Sequence, residues 1–390
     1  MYTIQTLNNI SAKGLEMLDK EHFRVASKVD MPDGILVRSA KMHDMELPPS
    51  LKAIARAGAG VNNIPVEKCT SRGIPVFNTP GANANSVKEL VIIALLVTSR
   101  RIIHGITWVK SLAGRGVEVP ALVEKDKANF VGPEIRGKKL GVIGLGAVGV
   151  LVANDAAALG MEVMGYDPYI SVESAWGLSR SVKRAPDIDT LVASSDYITI
   201  HVPLTETTAS LLNKQRFTKM KRGVRLLNFA RAELVSTPDV LKAIEDGIVE
   251  YYATDFPEEA LLHNDKVIAF PHLGASTPEA EDNCAVMAAQ QLKGFLELGN
   301  IKNSVNFPDC EMATNGHTRV LIANRNIPNM VGQITTLLAS QKINISEMLN
   351  RHRGDFAYNI IDLESDVPKN FPDEVMKIEG IVMARVIKPE

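Results

Sequence analysis

The sequence lacks most of the features that mark specialised classes of protein. It has only three cysteines, Cys69, Cys284 and Cys310, and none of them has the spacing of a metal or redox pair. Its 43 basic and 45 acidic side chains nearly cancel, which leaves a net charge of −2. We therefore expect reduced, buried thiols and no bound metal, and we expect neither nucleic acid nor an anionic membrane as a partner.

Long apolar runs and a leader pattern are missing as well. The longest apolar run, Leu90–Val97, is far shorter than the roughly 20 residues that span a bilayer. The first residues, Met1–Ile4, include no basic segment followed by an apolar one. We therefore expect no secretory signal and no membrane span, and we predict a cytoplasmic location.

The residues that are present are those of a globular protein. Hydrophobic residues make up 45% of the chain, charged residues 23% and aromatic residues 5%. A length of 390 residues predicts two or three domains, at about 100–200 residues per domain. Disordered, collagen-like and disulfide-rich classes do not fit this composition.

Short apolar runs alternate with helical patterns along most of the chain. The runs at Gly34–Arg38, Leu51–Ala57 and Ile74–Phe77 predict buried strands, and a second series extends from Lys139–Ile143 to Val267–Phe270. Strands separated by helices form parallel sheets covered on both faces, so the predicted fold class is α/β with two doubly wound parallel sheets. Val87–Arg101 is apolar almost all round, which suits an interior helix or a helix at a subunit interface.

A glycine-rich turn marks the start of the second series. Gly144-Leu145-Gly146-Ala147-Val148-Gly149 matches G-x-G-x-x-G between a predicted strand and a predicted helix, which is the context of a dinucleotide site. Asp167 follows the next strand, where a carboxylate can accept hydrogen bonds from ribose hydroxyls and repel a 2′-phosphate. The sequence therefore predicts NAD rather than NADP as the cofactor.

Three further fragments each follow a predicted strand. They contain Arg231, the pair Glu258-Glu259, and His272. An arginine can bind a substrate carboxylate through two parallel hydrogen bonds, and a histidine can remove a hydroxyl proton while hydride leaves for a nicotinamide. A carboxylate beside that histidine would fix its tautomer. This set predicts oxidation of a 2-hydroxy acid.

These motifs, with His201-Val202-Pro203-Leu204-Thr205, resemble those of the D-isomer-specific 2-hydroxyacid dehydrogenase family. The resemblance implies that Arg231, Glu259 and His272 are catalytic, with Glu258 as the fallback because this segment is one residue shorter than usual. Ala232 departs from a frequent glycine. The residues implied to bind the cofactor are Gly144, Gly146, Ala147, Val148, Gly149, Asp167, His201, Phe229, Ala230, Asp255, Gly274 and Ala275, with Asp255 at the nicotinamide amide.

The family's architecture implies a chain that crosses between domains twice. The substrate-binding domain would comprise residues 1–98 and 284–310, and the NAD-binding Rossmann domain residues 99–283. The active site would fill the cleft between them. Residues 311–317 have a linker composition, and the pattern of 318–390 predicts a ferredoxin-like βαββαβ unit.

The C-terminal unit resembles the ACT regulatory domain, whose strand-to-helix loop commonly reads N-x-P-G; here Asn329 takes the place of the glycine. The two resemblances together imply oxidation of 3-phospho-D-glycerate to 3-phosphohydroxypyruvate, the first step of phosphorylated L-serine synthesis. They also imply a homodimer or homotetramer with L-serine as an effector. The implied effector contacts are Asn324, at a position where histidine is frequent, Asn326 and Asn344. The alternative is an ACT unit that does not bind serine and serves only in assembly.

Arginines that follow predicted N-terminal strands suit a phosphorylated substrate. Arg38, with Ser39, and Arg56 can bind a phosphate or carboxylate, although either arginine could instead be a solvated surface charge. The loop Gly60-Val61-Asn62 matches the family segment whose N–H groups receive the substrate carboxylate. Two alternatives stay open: a hydroxypyruvate, glyoxylate or D-lactate dehydrogenase of the family, and a non-enzymatic NAD sensor with the same fold.

Overall fold

A computed structural model describes residues 1–388. The chain divides into two compact units, one made of residues 1–83 together with the chain from Pro278 onward, and the other of Ala84–Thr277. Each unit contains a parallel sheet, and the first also contains an antiparallel sheet. The α/β fold class is therefore confirmed.

The first unit begins with a five-stranded parallel sheet of order β2-β1-β3-β4-β5. Its elements are β1 (Tyr2–Leu7), α1 (Ala12–Leu15), β2 (Phe23–Ala26), β3 (Gly34–Val37), β4 (Ala53–Arg56), α2 (Val66–Ser71) and β5 (Val76–Phe77). Strand β3 is buried along its whole length, as its continuous apolar run requires of a strand covered on both faces.

The second unit is built on a seven-stranded parallel sheet of order β12-β11-β10-β9-β6-β7-β8. Its strands are β6 (Lys139–Ile143), β7 (Glu162–Tyr166), β8 (Lys183–Arg184), β9 (Tyr197–Ile200), β10 (Val224–Asn228), β11 (Val249–Thr254) and β12 (Val267–Ala269). Its helices are α3 (Ala84–Arg100), α4 (Ile102–Ser111), α5 (Val119–Asp126), α6 (Ala147–Ala158), α7 (Val172–Gly177), α8 (Ile188–Ser194), α9 (Lys214–Phe217), α10 (Thr237–Glu245) and α11 (Glu259–Leu262), with 3-10 turns at Gly116–Glu118, Lys127–Phe130 and Ala232–Leu234.

The first unit resumes with α12 (Pro278–Leu298), which packs on β3 and β4. A four-stranded antiparallel sheet of order β14-β15-β13-β16 follows. Its elements are β13 (Thr318–Arg325), α13 (Met330–Ser340), β14 (Ile345–Arg353), β15 (Phe356–Leu363), α14 (Phe371–Met376) and β16 (Ile381–Ile387). This βαββαβ order is ferredoxin-like and fits an ACT-like domain. Asn329 adopts φ 66°, the left-handed conformation for which asparagine is the best substitute after glycine.

Two expected boundaries differ from the observed ones. Residues 84–98 were assigned to the substrate domain, but α3 packs on α6, β10 and β11 inside the Ala84–Thr277 unit. Residues 278–283 likewise belong to α12 and the first unit. Contact with a sheet, rather than the position of a motif along the chain, decides where each helix belongs.

The linker role of residues 311–317 stays a prediction, but the start of this segment is packed against the first unit. Cys310 exchanges two backbone hydrogen bonds with Ile301, and the Met312 side chain is buried. Leu321 and Tyr358, on one face of the four-stranded sheet, share a hydrophobic core with α12 and the five-stranded sheet. The C-terminal sheet is therefore packed into the first unit.

The cysteines and the apolar helices agree with a globular fold. All three cysteines are unpaired and buried, and burial raises the pKa of Cys69 to about 11. Within residues 1–388, no single helix is long and apolar enough to cross a membrane. Helices α3 and α4 reach that length and hydropathy only as a pair bent by 67°.

Candidate active site

The sequence motifs of the second unit meet at one edge of the seven-stranded sheet. Because its strands are parallel, the residues that follow each of them lie at the same, carboxyl edge, where ligands bind in such folds. The glycine-rich turn follows β6, and Asp167, His201, Arg231, Asp255 and His272 come after β7, β9, β10, β11 and β12. The fold thus places the predicted groups in the loops at the carboxyl edge of one sheet.

The glycine-rich turn has the geometry of a dinucleotide site. Gly144 adopts φ 93°, and a Cβ built on Gly149 would lie 1.9 Å from the Gly144 carbonyl oxygen, so both positions require glycine. A Cβ on Gly146 would meet no atom within 4 Å among residues 1–388. Helix α6 begins directly after it, with Ala147 and Val148 in its first turn. Space beside Gly146 and the N-terminus of a twelve-residue helix suit a pyrophosphate.

Asp167 connects two backbone segments at the end of β7. Its Oδ2 accepts a hydrogen bond from the Leu145 N–H at 2.9 Å, and its Oδ1 accepts one from the Tyr169 N–H at 2.8 Å. Each carboxylate oxygen can accept a second bond, so ribose hydroxyls could still bind. Asp167 therefore also holds the glycine-rich turn against the end of β7, a role that the motif alone did not predict.

His201 and Phe229 face the protein rather than solvent. The His201 Nε2 lies 2.9 Å from the Thr199 hydroxyl, and burial lowers the pKa of its ring to about 4, so it is neutral at pH 7. The Phe229 ring is buried against Phe270 at a centroid distance of 5.5 Å. Both side chains therefore pack against the protein, and the cofactor-binding role of these two residues stays a prediction.

Asp255 is a buried carboxylate at this edge, and its charge interacts with those of His272 and Arg231. Its side chain is buried, and its Oδ1 has no hydrogen-bond partner within residues 1–388. Desolvation raises the pKa of its carboxyl group, although the charge of His272, a hydrogen bond from the residue's own backbone and the charge of Arg231 oppose the shift. A buried acceptor without a donor fits the carboxamide N–H₂ of a nicotinamide. Gly274 lies beside it, since a Cβ there would be 3.6 Å from Oδ2, whereas Ala275 is exposed.

His272 lies near Asp255 and not near either glutamate. Its Nδ1 is 3.9 Å from the Asp255 Oδ2, and its side chain is 68% exposed. Glu259 instead accepts a hydrogen bond from His263 at 3.0 Å, and Glu258 accepts one from Thr237 at 3.0 Å. The predicted Glu259–His272 pair is therefore not formed. Glu259 begins α11, so helical i,i+4 spacing places His263 next to it instead.

Arg231 is presented by a turn that Asn228 holds. The buried Asn228 side chain donates to the Arg231 carbonyl at 2.8 Å and accepts from the Ala230 N–H at 3.2 Å. The Arg231 Nη1 donates to the Ala230 carbonyl at 2.6 Å. Asn228 was not among the predicted site residues. Its position directly after a buried strand and before a turn was the available signal.

The predicted substrate groups of the first unit are also close together. Strands β3 and β4 pair with Val37 opposite Arg56, and the Arg56 Nε donates to the Arg38 carbonyl at 2.8 Å. The Arg56 Nη1 also donates to the Gly60 carbonyl, which holds the loop of Gly60, Val61 and Asn62. Arg38 is ion-paired with Glu281, a residue that the sequence did not single out.

Two asparagines shape the backbone around Arg38 and Ser39. The Asn8 Oδ1 accepts from the N–H groups of Ser39 and Ala40 at 3.0 and 2.6 Å, and the Asn63 side chain donates to the Ala40 carbonyl at 2.8 Å. Both contacts connect residues far apart in the sequence, so no local pattern indicated them.

The three predicted effector residues do not share one place. Asn324 is buried, donates to the Arg325 carbonyl at 2.6 Å and accepts from Asn359 at 2.8 Å, so neither end of its amide faces a ligand. Asn326 is exposed beside Gly354, whereas Asn344 is exposed and bonded to Glu364. In the β13–β15 ladder, Arg325 pairs with Phe356 and Thr318 with Leu363, so Asn326 and Asn344 lie at opposite ends.

Comparison with known proteins agrees with this geometry. Residues 92–274 match the D-isomer specific 2-hydroxyacid dehydrogenase family, NAD binding domain. The chain is 36% identical over 323 residues to D-3-phosphoglycerate dehydrogenase of Archaeoglobus fulgidus, covering 77% of this chain and 59% of that one. It is 30% identical to the enzyme of the same name from Haemophilus influenzae, covering 88% and 83%. It thus spans about three-fifths of the first of these relatives.

A solved structure gives the same result. The chain superposes on 3-phosphoglycerate dehydrogenase of Entamoeba histolytica with bound NAD⁺ at a TM-score of 0.62 and 26% identity, covering 78% of this chain and 98% of that one. The Ala84–Thr277 unit is thus an NAD-binding domain, and the chain belongs to the D-isomer-specific 2-hydroxyacid dehydrogenase family.

Proposed function

We propose that this protein oxidises 3-phospho-D-glycerate to 3-phosphohydroxypyruvate with NAD, the first step of phosphorylated L-serine synthesis. The observation that carries the proposal is the buried Asp255 carboxylate beside His272, whose Oδ1 has no hydrogen-bond partner within residues 1–388, on the same sheet edge as the glycine-rich turn. Arg38 and Arg56 at the ends of β3 and β4 supply cations for a phosphorylated acid. The names of the relatives from Archaeoglobus fulgidus and Haemophilus influenzae support this substrate.

In this mechanism His272 is the base and Arg231 binds the substrate carboxylate. His272 removes the proton from the substrate hydroxyl, and the resulting imidazolium is stabilised by the Asp255 carboxylate. The glycine-rich turn and Asp255 would hold NAD, which would supply the acceptor for the hydride on the carbon that carries the hydroxyl group. In the first unit, the N–H groups of Gly60, Val61 and Asn62 are assigned to substrate binding. Asn228 keeps the Arg231 turn in place.

The test is NADH formation by the purified protein with NAD and 3-phospho-D-glycerate, run beside D-glycerate and D-lactate. The reverse reaction with 3-phosphohydroxypyruvate is run in parallel. We expect a strong preference for the phosphorylated pair, and His272→Ala should lower kcat at least about 100-fold with NAD affinity retained. Activity confined to unphosphorylated acids would contradict the substrate, and NAD binding without turnover would favour a sensor.

We also propose that the chain is a homodimer or homotetramer. All ten residues of α4 are at least partly exposed, including four large apolar side chains, Ile102, Ile103, Ile106 and Val109. An amphipathic helix without a buried face is expected to pack against another subunit. Light scattering at several concentrations measures the oligomeric state; a monomer at all of them would refute this proposal.

L-Serine as an effector and a cytoplasmic location belong to the same proposal. Because Asn326 and Asn344 lie at opposite ends of the sheet, one serine can contact both only between two copies of the chain. Addition of L-serine should then lower the rate or raise the Tm, and neither effect would occur if the C-terminal sheet serves assembly alone. The buried, unpaired thiols suit the reducing cytoplasm.

A further inference from the structure

Glu281 forms an ion pair with Arg38, one of the two arginines that suit a phosphorylated substrate. The Arg38 Nη2 lies 2.5 Å from the Glu281 Oε1, across 243 residues of sequence. The two side chains are 41% and 42% exposed. Glu281 lies in the first turns of α12, and Arg38 directly follows β3. The contact lies wholly within the first compact unit.

The two arginines differ in what they bind. Arg56 donates to two backbone carbonyls, those of Arg38 and Gly60, which carry no net charge. Arg38 binds a full negative charge, so its own charge is neutralised before any ligand arrives. A ligand that uses Arg38 must therefore replace a carboxylate.

The Arg38–Glu281 ion pair is weak enough for a phosphate to replace the Glu281 carboxylate on Arg38, and it still hinders anions that bind less strongly. Ion pairs at this degree of exposure contribute only about 0–1 kcal/mol. A phosphate dianion binds a guanidinium through two charge-assisted hydrogen bonds and can displace a single carboxylate oxygen. A monoanion binds the guanidinium less strongly than a dianion and therefore displaces the Glu281 carboxylate less well. The negative charge of Glu281 also repels both kinds of anion as they approach Arg38.

We propose that Glu281 is a specificity-determining residue that competes with the substrate phosphate for Arg38. It reserves Arg38 for dianions and weakens the binding of every ligand that uses this arginine. The inference rests on the proposed function in assigning the phosphate to Arg38. Discrimination by an element that repels the wrong ligand is a common source of specificity.

The test is Glu281→Gln in the full-length protein. Glutamine keeps the oxygen that Arg38 binds and removes only the charge. Loss of one negative charge near a phosphate should lower the KM for 3-phospho-D-glycerate about three- to tenfold at low salt, with kcat unchanged. The KM for D-glycerate should stay the same, since that acid has no phosphate. Added salt should reduce the difference.

Glu279→Gln is the matched control. Glu279 lies in the same first turn of α12 and is exposed, so its replacement removes the same charge from the same helix terminus. It should leave the KM for 3-phospho-D-glycerate within about twofold of wild type. An equal fall in both variants would mean a general change of field, and would overturn the specific role of Glu281. A rise in KM for Glu281→Gln would also overturn it, because Glu281 would then hold Arg38 in its productive rotamer.

Binding of inorganic phosphate, measured by calorimetry, separates this inference from the proposed function. It requires no turnover, so it can be read even if wild type does not oxidise 3-phospho-D-glycerate. Glu281→Gln should bind phosphate more tightly than wild type, and Arg38→Ala should abolish the gain in the double variant. Equal phosphate affinity in wild type and Glu281→Gln would overturn the inference, whatever the substrate proves to be.

Discussion

The seven-stranded sheet and the four-stranded sheet, two of the three sheets in this chain, use buried polar groups in opposite ways. At the carboxyl edge of the seven-stranded sheet, Asp255 is buried with an oxygen that has no partner in residues 1–388. In the four-stranded sheet, Arg319 and Asp362 are as deeply buried, but each is fully paired. A buried polar atom without a partner costs stability and indicates a ligand, whereas a satisfied one indicates structure.

The Arg319–Asp362 pair shows what a satisfied polar cluster does. The guanidinium makes two hydrogen bonds with Asp362, at 2.6 and 2.9 Å. It also donates to the carbonyls of Leu298, Met312 and Ala313. These bonds fix the end of α12 and the segment before β13 to the C-terminal sheet. The pair therefore explains why the sheet is part of the first unit.

The largest expected effect is that of Asp362→Ala. It leaves Arg319 buried without a counter-charge, which should lower the free energy of unfolding by about 3–5 kcal/mol. Urea unfolding of the full-length protein measures the change. Lys377→Ala, which removes the exposed partner of Glu374, is the control and should cost less than about 1 kcal/mol. Similar losses in the two variants would contradict the difference between the buried and exposed pairs.

The next effects separate two glycines of the same turn. Gly149→Ala places a Cβ against the Gly144 carbonyl and should destabilise the protein without ligand by about 1–3 kcal/mol. The Cβ of Gly146→Ala would meet no atom within 4 Å among residues 1–388, so this variant should leave the Tm unchanged. Because the same space suits a pyrophosphate, Gly146→Ala should weaken NAD binding about tenfold. Thermal unfolding and NAD titration distinguish them. If Gly146→Ala bound NAD normally, the pyrophosphate could not lie beside that residue.

These contrasts also show what a sequence can reveal. The glycine-rich turn, Asp167 and the strand-end residues were predicted because each depends on a few neighbouring residues and on the shared edge of a parallel sheet. The catalytic role of Glu259 stays a prediction, because in this structure Glu259 contacts His263, and that contact depends on where α11 starts. Glu281, Asn8 and Asn63 went unnoticed because their contacts join segments that only the folded chain brings together.

In the C-terminal sheet, too, local features were readable from the sequence and contacts between strands were not. The βαββαβ order of its elements along the chain was readable from apolar runs, and the replacement of the loop glycine by Asn329 from the resemblance. Burial of Asn324 was not, because it depends on Asn359 in another strand. A residue such as Asn324, which matches a ligand contact in the resemblance, can thus be buried in the core instead. Its hydrogen-bond partners in the folded chain show which role it has.

The smallest effect, and the most direct test of the unpartnered atom, is the pH dependence of Asp255→Asn. Burial raises the pKa of Asp255, so its favourable contribution to folding is present below the unfolded pKa, near 3.9, and is lost as pH rises through the folded value. Asparagine cannot ionise and escapes that loss. Asp255→Asn should therefore have a Tm slightly above wild type at pH 7, and the difference should shrink toward pH 4.

Asp19→Asn is the control with the opposite sign. Hydrogen bonding to Lys293 lowers the pKa of Asp19 to about 2, so its contribution is present at pH 7 and is lost only as pH falls toward that value. This variant should melt below wild type at pH 7, and the difference should disappear in acid. If Asp255→Asn followed the same course, the Asp255 carboxylate would already be satisfied in the folded chain. Its buried oxygen would then have no need of a nicotinamide amide.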